Sequence, residues 1–339
     1  MVVVLPKSLD ALLALQHDVV TTAQALERGT SKPEIARLVR GGHWQRLYRG
    51  VYYVYNSPVP RRSQLHGALL GAGHGAVLSH ETAAEVWRIA DRPSQSIHVS
   101  VPRKTGPVTR AEGVSVHYSA RLPAGECRGA VGLGMPPVIA AEEVIYDLAQ
   151  VAVTAEEAVN WAIRACQRKC TTPDLISMHM LEPGHRDWRW REDLRDALTE
   201  IRAGVESPLE RRYLHDVERA HGLPSGRRQV KAKRGTSVQY QDVRYADFGV
   251  AVELDGARYH RADARSRDDL RDNSNTLEGL LTLRYGWNHV AYHPCEVARE
   301  VWTLLAQRGR VGGFRRCPRC AALSAPQPPL PPPPARRGA

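Results

Sequence analysis

The sequence predicts a multidomain chain of mixed α+β and α/β class. Three observations carry that expectation. Its 339 residues are enough for two or three domains. Apolar spacing alternates between helical and strand periods along the chain. A polar, Trp- and Arg-rich stretch over 171–200 reads as a connector with helical pieces. The expected units are 8–57, 60–190 and 204–308, followed by a Pro-rich tail over 321–339.

The first unit reads as three helices closed by a β-hairpin. Leu12, Leu13 and Leu15 mark the first helix. Thr21 and Thr22 cap a second, which runs through Ala25 and Leu26 and stops at Gly29. Ser31 at the N-cap with Glu34 at N3 opens a third in the capping-box pattern. Ile35, Leu38 and Val39 form its apolar face, and Gly41-Gly42 end it. Trp44 to Val54 reads as two short strands around Arg49-Gly50. This order is the winged-helix pattern. Lys32, Arg37 and Arg40 fall off the apolar face and join Arg46 and Arg49 of the hairpin in a basic stripe. Such a stripe suits DNA, with helix side chains in the major groove and hairpin arginines on phosphate or in the minor groove.

The second unit is mixed α+β. Ala76 to Leu78 reads as a strand end, Ser79 as a cap, and His80 to Trp87 as a helix. Ile97 to Val101 and Val114 to Tyr118 alternate like strands, and Ala141 to Ala165 carries helical periodicity.

Several words of these two units resemble the AbiEi-type antitoxins of abortive-infection systems. They are Gly29-Thr30-Ser31, Leu38-Val39-Arg40-Gly41-Gly42, Trp44-Gln45-Arg46-Leu47-Tyr48-Arg49-Gly50-Val51-Tyr52 and Val77-Leu78-Ser79-His80-Glu81-Thr82-Ala83-Ala84. The resemblance spans roughly residues 10–165 and implies DNA binding, often at promoters. It leaves a toxin partner and the oligomeric state undetermined.

The third unit reads as helix, strands, helix, strand, helix. Ser207-Pro208-Leu209-Glu210 is a helix start with Ser207 as N-cap and Pro208 at N1. Arg228 to Val230 and Val238 to Val243 are strand-like, and Phe248 to Asp255 is a buried-strand run that contains two carboxylates. Strand alternation sends Glu253 and Asp255 to one face and Val252 and Leu254 to the other. Asp242, on the preceding strand, sits across from them in a hairpin. Three converging carboxylates repel one another unless a cation or a set of arginines offsets them. Mg²⁺ or Mn²⁺ takes such oxygen ligands, stabilises charge on a phosphate and generates a hydroxide nucleophile. The competing reading is an ion-pair network with Arg244, Arg258, Arg271 and Arg284.

This series resembles the PD-(D/E)XK nucleases, and more closely a small domain of unknown function related to very-short-patch-repair endonucleases. The matching residues are Ser207-Pro208-Leu209-Glu210, Arg228-Gln229, Asp242, Val252-Glu253-Leu254-Asp255-Gly256, Tyr259-His260, Asp268, Arg271-Asp272-Asn273, Gly279 and Leu283-Arg284. The resemblance implies a restriction-endonuclease-like αβββαβ domain, with Glu210 as the helix acid at the edge of the site. It makes Asp242 and Glu253 metal ligands, and Asp255, on the same face as Glu253, is the third candidate metal-site residue. Asp255 stands where the wider superfamily has a catalytic lysine. The resemblance offers His260 as the acid–base group. Arg271 reads either as a contact to backbone phosphate or transition-state charge or as a partner that locks Asp268 or Asp242 in place. Arg284 ends an apolar run and reads as structural.

Charge agrees with a polyanion partner: the net charge is +11 and the pI near 9.6. No apolar run reaches the ~18–20 residues of a membrane span. Met1-Val2-Val3-Val4-Leu5 is too short for a signal-peptide core, so the expected location is cytoplasmic, without a membrane partner. Six cysteines in a chain of this length do not suggest a disulfide scaffold. Cys317-Pro318-Arg319-Cys320 has the spacing of half a structural zinc site, which His293 and Cys295 would complete. The competing reading is reduced, metal-free thiols. The tail beyond, with its run of prolines, is expected to be extended or disordered.

Two DNA-directed functions follow, beside a third reading as an interaction protein whose basic charge serves only solubility. The first is a DNA-binding protein with a metal-dependent endonuclease-like domain that hydrolyses phosphodiesters in defence or repair. The second is a non-catalytic regulator of antitoxin type with a degenerate nuclease fold.

Overall fold

A computed structural model of the chain describes residues 9–103, 112–122, 136–185, 187–234, 237–255 and 280–323. The fold is multidomain α+β, with three sheets among the described residues. The chain divides into two compact units, Met1–Thr199 and Glu200–Ala339. No described helix is long and apolar enough to cross a membrane.

The first unit begins with α1 (Leu9–Leu15), a short strand β1 (Val19–Thr21), α2 (Thr22–Glu27) and α3 (Lys32–Arg40). The hairpin strands β2 (Gln45–Tyr48) and β3 (Val51–Tyr53) follow. Thr21 closes a full capping box: its hydroxyl accepts the Gln24 N–H at 3.2 Å, and the Gln24 side chain accepts the Thr21 N–H at 3.0 Å. Ser31 makes its half of the box, accepting the Glu34 N–H at 3.3 Å. Glu34 turns instead towards Arg37, 4.0 Å away. Strand β1 is an addition to the sequence reading. It pairs antiparallel with β3, which also pairs with β2, so the hairpin becomes a three-stranded sheet. Leu12, Val20, Ala25, Ile35, Trp44 and Tyr52 form the core beneath the helices, and Leu38 and Val39 pack against it.

Helix α4 (Arg61–Ala72) leads into β4 (Val77–Leu78), α5 (His80–Val86), β5 (Ile97–Pro102) and β6 (Val114–Ser119). Strand β5 is central, antiparallel to β4 and parallel to β6. Arg61 ties α4 to α5 with two hydrogen bonds to Glu85, at 2.9 and 2.7 Å. Ser79 occupies the N-cap of α5 without capping it. Its hydroxyl bonds His80 Nδ1 at 3.1 Å instead. The helical run expected over Ala141 to Ala165 is two helices, α6 (Ala141–Val151) and α7 (Ala155–Gln167). Thr154 breaks it by capping α7, accepting the Glu157 N–H at 3.2 Å. Helices α8 (Pro173–His179) and α9 (Arg191–Arg202) follow. These are the helical pieces expected over 171–200, and the intervening Trp188 is buried.

The second unit starts with α10 (Pro208–Arg212), capped by Ser207, which accepts the Glu210 N–H at 3.1 Å. It runs straight into a π-helical stretch, Tyr213–Arg219. Strands β7 (Arg227–Arg234), β8 (Ser237–Tyr245) and β9 (Val250–Asp255) form an antiparallel meander, and β10 (Leu281–Gly286) adds parallel to β9. Then come α11 (Trp287–Tyr292), α12 (Pro294–Gln307) and α13 (Pro318–Leu323). The helix expected between β9 and β10, and the Pro-rich tail, lie outside the described residues. Tyr213, Val243, Val252, Tyr285, Val301 and Leu305 are among the residues that fill the core between sheet and helices. A buried polar knot crosses it: Glu218 accepts Tyr245 Oη at 2.6 Å and the Gly226 N–H at 3.3 Å, and pairs with Arg228.

Candidate functional site

The five predicted cations of the first unit are all exposed: Lys32, Arg37 and Arg40 on α3, Arg46 on β2, and Arg49 in the turn. Lys32, Arg40 and Arg46 line one cleft of about 380 Å³, with Ile35, Val39 and Tyr52 in its wall. Positions 32, 36 and 40 recur at helical spacing, which brings Lys32 and Arg40 to the same side of α3. Arg46 crosses from the hairpin, its guanidinium 6.0 Å from the Tyr52 ring centre. Arg37 and Arg49 are not among the cleft-lining residues. The cleft therefore combines an apolar wall with cations from two elements.

In the second unit, the β8–β9 register pairs Val243 with Val252, which brings Asp242 level with Glu253. Asp242 Oδ2 accepts the Leu254 N–H at 2.7 Å. Gln229 Nε2 lies 3.4 Å from both Asp242 Oδ1 and Glu210 Oε2, and so bridges the strand acid and the helix acid. Glu210 is buried and also accepts the Glu206 N–H at 3.0 Å. Burial, reinforced by the Asp242 charge and opposed by the Glu206 N–H, pushes its carboxyl up to about 7. Asp255 faces Arg284 at 3.7 Å, and the parallel register sets Arg284 level with Glu253. His260 and Arg271 lie outside the described residues.

Three groups of described residues bring metal-ligating atoms within 4.8 Å of one another, and none draws on Asp242, Glu253 or Asp255. The first is His221, Cys295, Cys317 and Cys320, all buried. It corrects the sequence reading at one position. His293 is exposed and faces Glu296 at 3.5 Å, while His221 reaches Cys320 Sγ at 3.4 Å. His221 had no local signal, because it lies 99 residues from Cys320.

The other two groups, His80/His98/His117 and Glu143/His179/His185, belong to the middle of the first unit. Sequence reading missed them, since it used His80 as part of a helix start and His98 and His117 only for strand alternation. The His80 and His117 rings stack with centres 3.8 Å apart, and His98 Nδ1 lies 3.0 Å from His117 Nε2. His80 holds a left-handed φ of 49°, uncommon outside glycine. Burial and the neighbouring His117 and His98 lower its pKa to about 3. Its Nδ1 lies 3.4 Å from Asp147, and Arg121 bridges Asp147 at 2.9 Å and Glu143 at 2.6 Å. Glu143 in turn meets His179 at 3.0 Å and His185 at 2.6 Å. Burial works against ionising Glu143, but hydrogen bonds from His179, Arg121 and His185 and the Arg121 charge hold it down to about 2. A continuous imidazole–carboxylate chain thus runs through this region.

With that geometry in place, the comparisons with known proteins are informative mainly at the N-terminus. A family model described as transcriptional regulator, AbiEi antitoxin, matches residues 7–55. The N-terminal region therefore resembles the AbiEi-type antitoxin family. Among solved structures, the chain is similar to the RV2827C protein from Mycobacterium tuberculosis. That match has 18% identity and a TM-score of 0.38, and covers 54% of this chain and 74% of that chain. No curated protein matches the chain.

Proposed function

We propose that this chain is a DNA-binding regulator of antitoxin type, acting through a winged-helix unit over residues 8–57. The observation that carries the reading is a coincidence of two features. The segment that resembles AbiEi antitoxins, 7–55, is the one whose exposed Lys32, Arg40 and Arg46 surround a single cleft. On this reading α3 enters the major groove, Lys32, Arg37 and Arg40 meet bases or flanking phosphates, and Arg46 and Arg49 hold the neighbouring backbone. The net charge of +11 raises the local concentration of nucleic acid before the specific contacts form.

The test is fluorescence anisotropy of the full chain on promoter DNA from its own gene and on scrambled duplex. Selective binding that weakens in Arg40→Ala and Arg46→Ala supports the regulator. Equal affinity for both duplexes, unchanged by those variants, rejects it.

A second reading, metal-dependent phosphodiester hydrolysis, is favoured by one observation: Gln229 bridges Glu210 and Asp242. Mg²⁺ or Mn²⁺ would be held by Asp242 and Glu253, with Asp255 beside them, and would supply the Lewis acid and the activated water. The lysine place is taken by Asp255, which Arg284 approaches, so the chain's residues support DNA retention better than turnover. Nicking of duplex, mismatched or single-stranded DNA that needs Mg²⁺ or Mn²⁺ and disappears in Asp242→Ala would favour hydrolysis over the regulator.

A further inference from the structure

We infer that His221, Cys295, Cys317 and Cys320 form a closed structural zinc site that staples the C-terminal segment to the helix bearing Glu210. The four residues come from three separate stretches of chain, and all are buried. Cys295 Sγ and Cys317 Sγ are 3.6 Å apart, Cys317 Sγ and Cys320 Sγ 3.8 Å, and Cys320 Sγ and His221 Nε2 3.4 Å. A disulfide needs about 2.05 Å, so none joins these sulfurs. A tetrahedral zinc with Zn–S near 2.3 Å and Zn–N near 2.0 Å requires S···S edges of about 3.8 Å and N···S edges of about 3.5 Å. The three separations above lie close to those edges, and all four ligand atoms fall within 4.8 Å of one another.

Two further features point to a metal rather than to ordinary packed thiols. A metal-bound imidazole has its second ring nitrogen held by a hydrogen bond. His221 does this: Nδ1 donates to the Val217 carbonyl at 3.1 Å, which leaves the Nε2 lone pair aimed at the sulfurs. In Cys-x-x-Cys, the Cys320 N–H points back at Cys317 Sγ at 3.5 Å, an arrangement that stabilises thiolate. Phe314 stacks over the His221 ring at 5.2 Å, and with Ala220 it closes the apolar shell. All four positions are filled by protein, with no place for a substrate, so the site is structural. Binding deprotonates the three thiols and releases three protons, leaving a Zn(Cys)₃(His) centre of net charge −1.

The staple has a clear mechanical purpose. Arg315 donates to the Ala220 carbonyl at 3.2 Å and to that of Arg219, so the same segment also caps the end of the Glu210 helix. The metal fixes that helix to the start of α12 through Cys295.

The experiment is metal analysis of the full chain expressed in zinc-supplemented medium and desalted. We expect about one zinc more per chain in wild type than in Cys317→Ser or His221→Ala. His293→Ala should retain it, which separates His221 from the alternative histidine. Because the variants could unfold, wild type is also reconstituted with Co²⁺. Sulfur-to-cobalt charge transfer together with tetrahedral ligand-field bands supports the site, and the histidine–carboxylate groups of the first unit cannot produce that charge transfer. No thiolate–cobalt absorption, an iron–sulfur chromophore in the purified protein, or equal metal loss in His293→Ala and His221→Ala would overturn it.

Discussion

Asp242 holds the main-chain N–H of Leu254 at 2.7 Å, so a carboxylate oxygen bonds the backbone of the neighbouring strand. Asp242→Asn keeps an acceptor oxygen for that bond and removes the charge. Thermal unfolding should then change by less than about 1 kcal/mol, while Asp242→Ala loses about 1–3 kcal/mol by stranding the N–H. DNA affinity should stay within about twofold for both, since the cations of the first unit carry binding. A tenfold loss of affinity in Asp242→Asn would instead mean that DNA is held at the carboxylates through a bound cation.

Glu210 gives the second unit a specific pH dependence. Its carboxyl is pushed from 4.5 to about 7 in the fold. The folded state therefore keeps a proton that the unfolded state has lost, and stability falls as pH rises from 4.5 to about 7. The full effect is on the order of 3 kcal/mol. Glu210→Gln should flatten this slope and make the unit more stable than wild type at pH 8. Urea titrations at pH 5 and pH 8 would show it. Added Mg²⁺ that restores wild-type stability at pH 8 would mean that a cation takes the place of the proton.

Salt titration separates the cations of the first unit. Each phosphate contact removed lowers the slope of log affinity against log salt by about 1. Arg40→Ala and Arg46→Ala, at the shared cleft, should each do so. Arg37→Ala should do less, because Arg37 is not among the cleft-lining residues and Glu34 stands 4.0 Å from it. Unchanged slopes in all three would remove α3 and the hairpin from the DNA interface.

Glu218 anchors the buried knot of Arg228, Tyr245 and Gly226. Removing it leaves the Arg228 charge and two donors without their acceptor. Glu218→Ala should lose about 3–5 kcal/mol. A double-mutant cycle with Arg228→Met, read by urea unfolding, should show strong coupling between the two positions.

Local chemistry was the legible part of this chain. Ser31 and Ser207 declare helix starts within four residues, and their hydroxyls cap where expected. The alternation of Val252, Glu253, Leu254 and Asp255 was readable because a strand's period is fixed at two. Features made by distant residues were not. Strand β1 exists because Val20 finds Tyr52 across the sheet, and three residues carry too little pattern to announce it. His221 and the five histidines of the first unit acquire chemical meaning only when separate segments fold together. The Ala141–Ala165 run concealed a break because Thr154 is compatible with either a helix interior or a cap.

The π-helical stretch Tyr213–Arg219 sets the rotational phase of everything after it. Its hydrogen bonds close one residue later than those of an α-helix. Winding the same residues as an ordinary α-helix, with none removed, would turn the following side chains by about 100°. Leu209 and Glu210, upstream, would stay where they are. Glu218 would swing away from Tyr245, and His221 from the three sulfurs. The widened turn works as a phase shifter, aligning a helix that must present its acid at one end and its imidazole at the other.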